Sequence, residues 1–236
     1  MAGSPHPDLL TVIVPVFNER ATVRQAIERL QKADLQLPLD IVIVDDGSTD
    51  GSAEEIADLV ETGQIRLLRH SRNRGKGAAV KTGLAAASGQ LTGILDADLE
   101  YDPNDYRLLL EPILAREARV AFGTRAFGAQ TAFSFWYLIG GRFLSFVASL
   151  LFNGWLSDIT TCLKVAPTAL WRSLDPHTPG FAFDSEVTAK LLKAREKIFE
   201  VPISYRARTR EQGKKLDWTD GLSSLWALLR VRFAGV

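Results

Sequence analysis

Apolar and polar residues follow one repeated grammar along the first half of the chain: a short run rich in β-branched residues, a polar loop, then a stretch of helical period. The runs predict strands at Thr11–Val16, Asp40–Val44, Ile65–Arg69 and Leu91–Leu95, and the periodic stretches predict helices at Ala21–Ala33, Ser52–Glu61, Gly77–Ala87 and Asn104–Ala115. The runs are nearly continuous in apolar residues, as parallel strands covered on both faces should be. Right-handed crossovers in such a sheet bring every strand-to-helix loop to the carboxyl edge, where ligands bind. The loops Pro15–Arg20, Asp45–Gly51 and Asp96–Pro103 all carry carboxylates.

After Val120 the rhythm changes. Ala121–Arg125 reads as a short strand and turn, and Phe133–Leu156 is apolar with Arg142 as its only charge. Its length suits a membrane crossing, but a crossing would separate the polar segment Asp158–Lys215 from Asp96 and Asp98. The expectation is therefore amphipathic helices lying on the protein or at a membrane interface, broken at Gly140-Gly141. An entirely buried core helix is the other reading. Phe183–Lys193 is helical in pattern, Lys197–Ser204 strand-like, and Asp220–Phe233 a terminal helix bearing Trp226, Arg230 and Arg232. The expected organisation is a mobile tail over 1–9, one α/β domain over 10–218 with interface helices at about 130–156, and a C-terminal amphipathic helix over 219–236.

With 236 residues, 46% of them hydrophobic, the chain can build a large single core. Basic and acidic residues both number 28, so no global field draws nucleic acid. The lone Cys162 excludes an intrachain disulfide, and His6, His70 and His177 are too far apart for a zinc spacing. A reducing cytosol is the expected compartment. Residues 1–9 lack a cationic start followed by an apolar run, so no secretory signal is expected.

Three segments carry chemistry. In Ile94-Leu95-Asp96-Ala97-Asp98-Leu99-Glu100 a strand runs into an acid cluster, and on an extended backbone Asp96 and Asp98 point the same way. Like charges that close call for a cation, and hard oxygen ligands suit Mg2+ or Mn2+. Glu100 continues the alternation and completes a metal set. The alternative is an acidic loop capping the Asn104 helix.

In the second segment, Ile41–Asp50, Gly47 permits a tight turn, Ser48 or Asp50 caps a helix, and Asp45 is tied to backbone amides. That leaves Asp46 to accept hydrogen bonds from a nucleoside. The third, Arg69–Gly77, is a basic glycine-containing loop opening a helix, suited to diphosphate through Lys76, backbone amides and the helix dipole. A solvated basic loop is its plainer reading. Neither a Gly-Lys-Ser/Thr ending nor G-x-G-x-x-G after the first strand is present, which counts against nucleotide triphosphatase and dehydrogenase readings.

Taken together, Thr11-Val12-Ile13-Val14-Pro15-Val16-Phe17-Asn18-Glu19, Asp45-Asp46-Gly47-Ser48, Asn73-Arg74-Gly75-Lys76-Gly77 and Asp96-Ala97-Asp98-Leu99 resemble glycosyltransferase family 2. Gly123-Thr124-Arg125, Asp158-Ile159-Thr160-Thr161, Gly180–Glu186 and Glu200–Ser204 make the chain similar to polyprenyl-phosphate glycosyltransferases of the dolichyl-phosphate mannose synthase type, over about residues 10–218. The resemblance implies a GT-A fold, a mostly parallel central sheet flanked by helices. Pro15, Phe17, Glu19 and Asp46 would surround the nucleoside, while Asp96, Asp98 and Glu100 would serve the metal. Arg208 and Lys215 would meet the diphosphate, and Arg125 and Arg142 the acceptor phosphate, where their plainer role is as surface or helix-end cations. The chain departs from the pattern at Glu100, usually glutamine, and in a longer Arg208–Lys215 segment.

The implied reaction is inverting, metal-dependent transfer of a hexose from a GDP-mannose- or UDP-glucose-type donor to a dolichyl or undecaprenyl phosphate. The chain would sit in the cytoplasm, peripheral on the inner membrane face, with a downstream membrane-protein partner. A phosphate acceptor, with a second pKa of roughly 6, is largely ionised at neutral pH and needs no strong base. A sugar-hydroxyl acceptor would need one, with Asp184 or Glu186 as candidates. A non-catalytic nucleotide-binding scaffold is the reading from another class.

Overall fold

Every apolar run of the first half becomes a strand, and all but the run at 66–69, which lies at the sheet edge, are largely buried. In the computed structural model, which describes residues 8–128, 135–208 and 217–234, the order is β1 (Leu10–Val16), α1 (Val23–Lys32), β2 (Leu39–Asp45), α2 (Ala57–Glu61), β3 (Arg66–Arg69), α3 (Lys76–Ala86), β4 (Leu91–Ile94) and α4 (Tyr106–Leu114). There follow β5 (Val120–Thr124), α5 (Phe135–Phe152), β6 (Lys164–Pro167), α6 (Thr168–Leu174), α7 (Phe183–Lys193), β7 (Ile198–Pro202) and α8 (Trp218–Phe233). Most of the expected tail lies outside the described residues.

The strands form one sheet in the order β3-β2-β1-β4-β6-β5-β7. β2, β1 and β4 are parallel neighbours, in register at Val16 with Asp45 and at Ile13 with Ile94. Pro15 is tolerated in this central strand because it lies past the last residue of β1 paired to β4, where its missing N–H leaves no ladder bond unmade on that side. Only β6 runs against its neighbours, β4 and β5. The sequence pattern did not announce β6 or α6: four residues, Lys-Val-Ala-Pro, are too short to show a period. The reversal matters, because it delivers residues 157–163 to the same edge at which β1, β2 and β4 end.

Helix α5 lacks the expected break and decides between the two readings of its burial. It is continuous through Gly140 and Gly141, since a glycine costs a helix interior about 1 kcal/mol but removes no hydrogen bond. Nor is it entirely buried. One face packs with α7 and α8 in a second core of Leu144, Ala148, Leu156, Ile159, Ala189, Leu228 and Val231. The other presents Phe143, Phe146 and, 72% exposed, Leu150. Helix α8 starts at Trp218 rather than Asp220 because Asp217 and Asp220 form a reciprocal capping box. It adds Trp218, Leu222 and Trp226 to the exposed apolar face. Among the described residues no helix is long and apolar enough to cross a membrane.

Candidate active site

Side-chain hydrogen bonds stitch the loops after β1 and β2 together. Asn18 N donates to Ser48 Oγ, Glu19 N to Ser52 Oγ, and Thr49 N to Asn18 Oδ1. Asp45 has the turn role expected of it, accepting Ser48 N at 2.9 Å. Gly47 is needed there: its φ is +74°, and a Cβ would lie 2.5 Å from the Arg72 carbonyl carbon. Ser48, Asp50 and Ser52 thus spend their oxygens on joining loops, and Asp50 caps no helix.

Asp46 lies on the cavity wall, as a nucleoside contact requires, but its carboxylate is already engaged. It accepts Arg74 N at 3.0 Å and Gly75 N at 2.7 Å, and meets His70 Nδ1 at 2.6 Å. His70, buried, reaches Thr82 with its other nitrogen. Asp46 therefore fixes the turn from which α3 starts, and with it the base of Lys76.

Lys76 does not point into open solvent as a solvated basic loop would. Its ammonium lies 2.9 Å from Asp96 Oδ1 and 3.3 Å from Asp184 Oδ2. Burial works against this charge, but Asp184 and Asp96 outweigh it and raise the lysine well above its ordinary pKa.

The acid cluster is not a helix cap: Asp102 does that work, accepting Asn104 N at 3.0 Å. Asp96 and Asp98 are left on the cavity wall. Glu100 departs from the expected alternation for a backbone reason. The extended run ends with β4 at Ile94, the chain turns through residues 97–98, and Leu99 then takes a left-handed conformation, φ 63°. Glu100 then accepts Tyr205 Oη at 2.5 Å and Arg208 N at 2.8 Å, so it holds the segment after β7. Among the described residues no group of three His, Cys, Asp or Glu is assembled to hold a metal ion.

The pair fits a hard divalent cation on its own electrostatics. Burial first, then the charges of Asp96 and Glu100, push the Asp98 carboxyl up to about 7 against the pull of Arg208. Arg208 bridges the cluster, 3.0 Å from Glu19 and 3.4 Å from Asp98. Lys215, the other cation assigned to the diphosphate, lies outside the described residues.

This raised carboxyl has a stability consequence. Unfolded, Asp98 ionises near its ordinary 3.8, whereas folded it holds its proton to about 7. Between those values the native state binds more protons than the unfolded one, so stability in EDTA falls as pH rises, by up to about 4 kcal/mol. Thermal melts at pH 5 and 7.5 are expected to show the fall in the wild type and not in Asp98→Asn. A wild-type Tm independent of pH would contradict it.

Across the cavity, Arg125 is gripped by Asp158 through Nε at 2.6 Å and Nη2 at 2.7 Å, and by Thr160. Its guanidinium lies 5.0 Å from the centre of the Tyr205 ring. Burial opposes both charges of the pair, yet their attraction raises Arg125 and lowers Asp158. Arg142, on α5, lines the same cavity, as do Asp217, Trp218 and Gly221 of the α8 start. The cavity has a volume of 1290 Å³ and counts Pro15, Phe17, Glu19, Asp96, Asp98 and Arg142 among its lining residues.

The two carboxylates suggested as a base are both committed. Asp184 lies between Lys164, 2.7 Å away, and Lys76. Glu186 accepts His177 N and Thr178 N, pairs with Lys190 at 2.9 Å, and is not on the cavity wall. Lys164 and Tyr205 were missed in the sequence, and His70 was weighed there only as a zinc ligand rather than as the partner of Asp46. Only Lys164, one charge in the run Cys162-Leu163-Lys164-Val165-Ala166, offered a signal.

The mostly parallel α/β sheet, with an acid pair and cations at its carboxyl edge, agrees with the glycosyltransferase class and GT-A-like fold that likeness to known proteins shows. The chain belongs to glycosyl transferase family 2, whose family model matches residues 11–167. It is 30% identical to a dolichyl-phosphate beta-glucosyltransferase of Dictyostelium discoideum, over 95% of this chain and 74% of the relative. It is 27% identical to a dolichol-phosphate mannosyltransferase of Pyrococcus furiosus, over 87% of this chain but only 58% of that protein. In structure it matches glucosyl-3-phosphoglycerate synthase of Mycobacterium tuberculosis, solved with Mn2+, UDP and phosphoglyceric acid, with a TM-score of 0.75 at 18% identity, covering 96% of this chain and 79% of the other.

Proposed function

We propose that this chain transfers a hexose, with inversion, from a nucleotide diphosphate-sugar of the GDP-mannose or UDP-glucose type to a dolichyl or undecaprenyl phosphate at the cytoplasmic face of a membrane. One observation carries the reading: a single cavity joins the Asp96/Asp98 edge to Arg142, beneath two helices whose outer faces are apolar. The two relatives, a dolichyl-phosphate glucosyltransferase and a dolichol-phosphate mannosyltransferase, support the acceptor class.

Pro15, Phe17, Glu19 and the Asp46 wall receive the nucleoside, and Lys76, Arg208 and Lys215 meet the diphosphate. Asp96 and Asp98 hold Mg2+ or Mn2+, whose charge stabilises the departing nucleoside diphosphate. The neighbour solved with Mn2+ and UDP supports a divalent ion here. Arg142 and the Asp158-braced Arg125 orient the acceptor phosphate on the opposite side, as in-line attack requires. A phosphate oxygen is already a nucleophile at neutral pH, which accords with Asp184 and Glu186 both being tied up by cations and amides. Release of nucleoside diphosphate should be stimulated by a short polyprenyl phosphate and not by soluble sugars. The reverse would establish the hydroxyl-acceptor reading.

The membrane contact has its own test. Phe146 and Trp226 lie 58% and 68% exposed, while Arg230 and Arg232 near the end of α8 suit anionic lipid. The wild type should float with anionic liposomes, and Phe146→Glu/Trp226→Glu should remain at the bottom of the gradient with an unchanged Tm. Equal flotation of the two proteins would remove this face from the contact.

A further inference from the structure

Lys164 is fully buried at the start of β6, with its ammonium on the Thr161 carbonyl and 2.7 Å from Asp184 Oδ1. The other Asp184 oxygen faces Lys76, which in turn meets Asp96. Charges therefore alternate from the sheet interior to the cavity: Lys164 positive, Asp184 negative, Lys76 positive, Asp96 negative. A buried ion pair is commonly no more stabilising than apolar residues of similar volume, so packing alone gives no reason for a lysine at 164. Its place behind Asp184 suggests work at the cavity end of the line.

We propose that Asp184 and Lys164 are positioning residues that set how Lys76 is divided between Asp96 and the donor diphosphate, an inference that rests on reading Asp96 and Asp98 as the cation pair. Asp184 gives Lys76 a second carboxylate, so Lys76 can release Asp96 when a cation takes it. Lys164 neutralises Asp184, so Lys76 keeps a net positive charge for the phosphates. The two residues then have separable effects. Without Asp184, Lys76 stays on Asp96 and competes with the cation. Without Lys164, Asp184 draws Lys76 away from the diphosphate.

Calorimetry of the whole chain with Mn2+ and either GDP or UDP reads both effects. Asp184→Asn should weaken Mn2+ binding roughly tenfold and leave nucleotide binding at saturating Mn2+ unchanged. Lys164→Met should do the converse, weakening nucleotide roughly tenfold with Mn2+ binding retained. Asp184→Asn strands a buried ammonium and can fail to fold, so the double variant Asp184→Asn/Lys164→Met, which removes both charges, is the decisive one. It should keep the weakened Mn2+ binding; a double variant that binds Mn2+ like the wild type makes the pair merely structural and overturns the proposal. If the wild type binds no Mn2+ with either nucleotide, the donor-site reading fails, and this inference with it. If the wild type binds and neither single variant shifts, this inference alone fails.

Discussion

Replacing Asp98 with alanine is expected to lower sugar transfer by at least about 10²–10³-fold, and to raise the melting temperature of the cation-free protein at pH 7.5. The opposite signs come from one cause. Asp98 is buried beside Asp96 and Glu100, and its carboxyl is pushed up to about 7, so the folded chain carries it at a cost that Arg208 and the Glu100 N–H offset in part. Removing it relieves the like-charge strain and takes away the leaving-group end of the site. A non-catalytic scaffold would lose little nucleotide binding on this change. Parallel transfer assays and thermal melts check both signs, and a variant that is both active and destabilised would contradict the account.

Arg142→Ala is expected to raise KM for a polyprenyl phosphate by about 10- to 100-fold with KM for the nucleotide-sugar unchanged. Arg142 lines the cavity on α5 and forms no ion pair among the described residues, so its charge is available to an acceptor phosphate and its loss leaves no buried carboxylate behind. Arg125 is a contrasting case. Its pair with Asp158 is buried, and Arg125→Ala would strand Asp158 at a cost of about 3–5 kcal/mol. Arg142 therefore separates acceptor recognition from folding, which Arg125 cannot do. The check is steady-state kinetics with each substrate varied in turn. An Arg142→Ala enzyme with an unaltered lipid KM would move the acceptor phosphate elsewhere.

The first half of the chain was legible because β1, β2 and β4 are largely buried apolar runs and the stretches between them have helical period. β1, β2, β3 and β4 fall within a residue of where the apolar runs put them. The second half was read less well where geometry is non-local. β6 pairs in reverse between β4 and β5, and no local period encodes that choice. Helix α5 divides its apolar surface between a buried and an open face, which its nearly uniform sequence does not distinguish.

At the site, the residue types were visible and their partners were not. Asp96 and Asp98 line the cavity from a turn after β4 rather than from an extended strand, and beyond a left-handed Leu99 the Glu100 carboxylate meets Tyr205 and Arg208. Asp46 reaches the cavity wall and is spent on the 73–75 turn, where it accepts the backbone N–H groups of Arg74 and Gly75 and meets His70. Lys76 is shared by Asp96 and by Asp184, a residue more than a hundred positions away, through a contact that only the fold creates.

The central claim is tested most directly by the mass of the product. The chain would be incubated with a panel of GDP- and UDP-sugars, Mg2+ or Mn2+, and a short polyprenyl phosphate. A lipid heavier by one hexose residue, formed with one donor and lost in EDTA, is the predicted result. A polyprenyl phosphate of unchanged mass, alongside sugar transferred to a soluble hydroxyl acceptor, would contradict it.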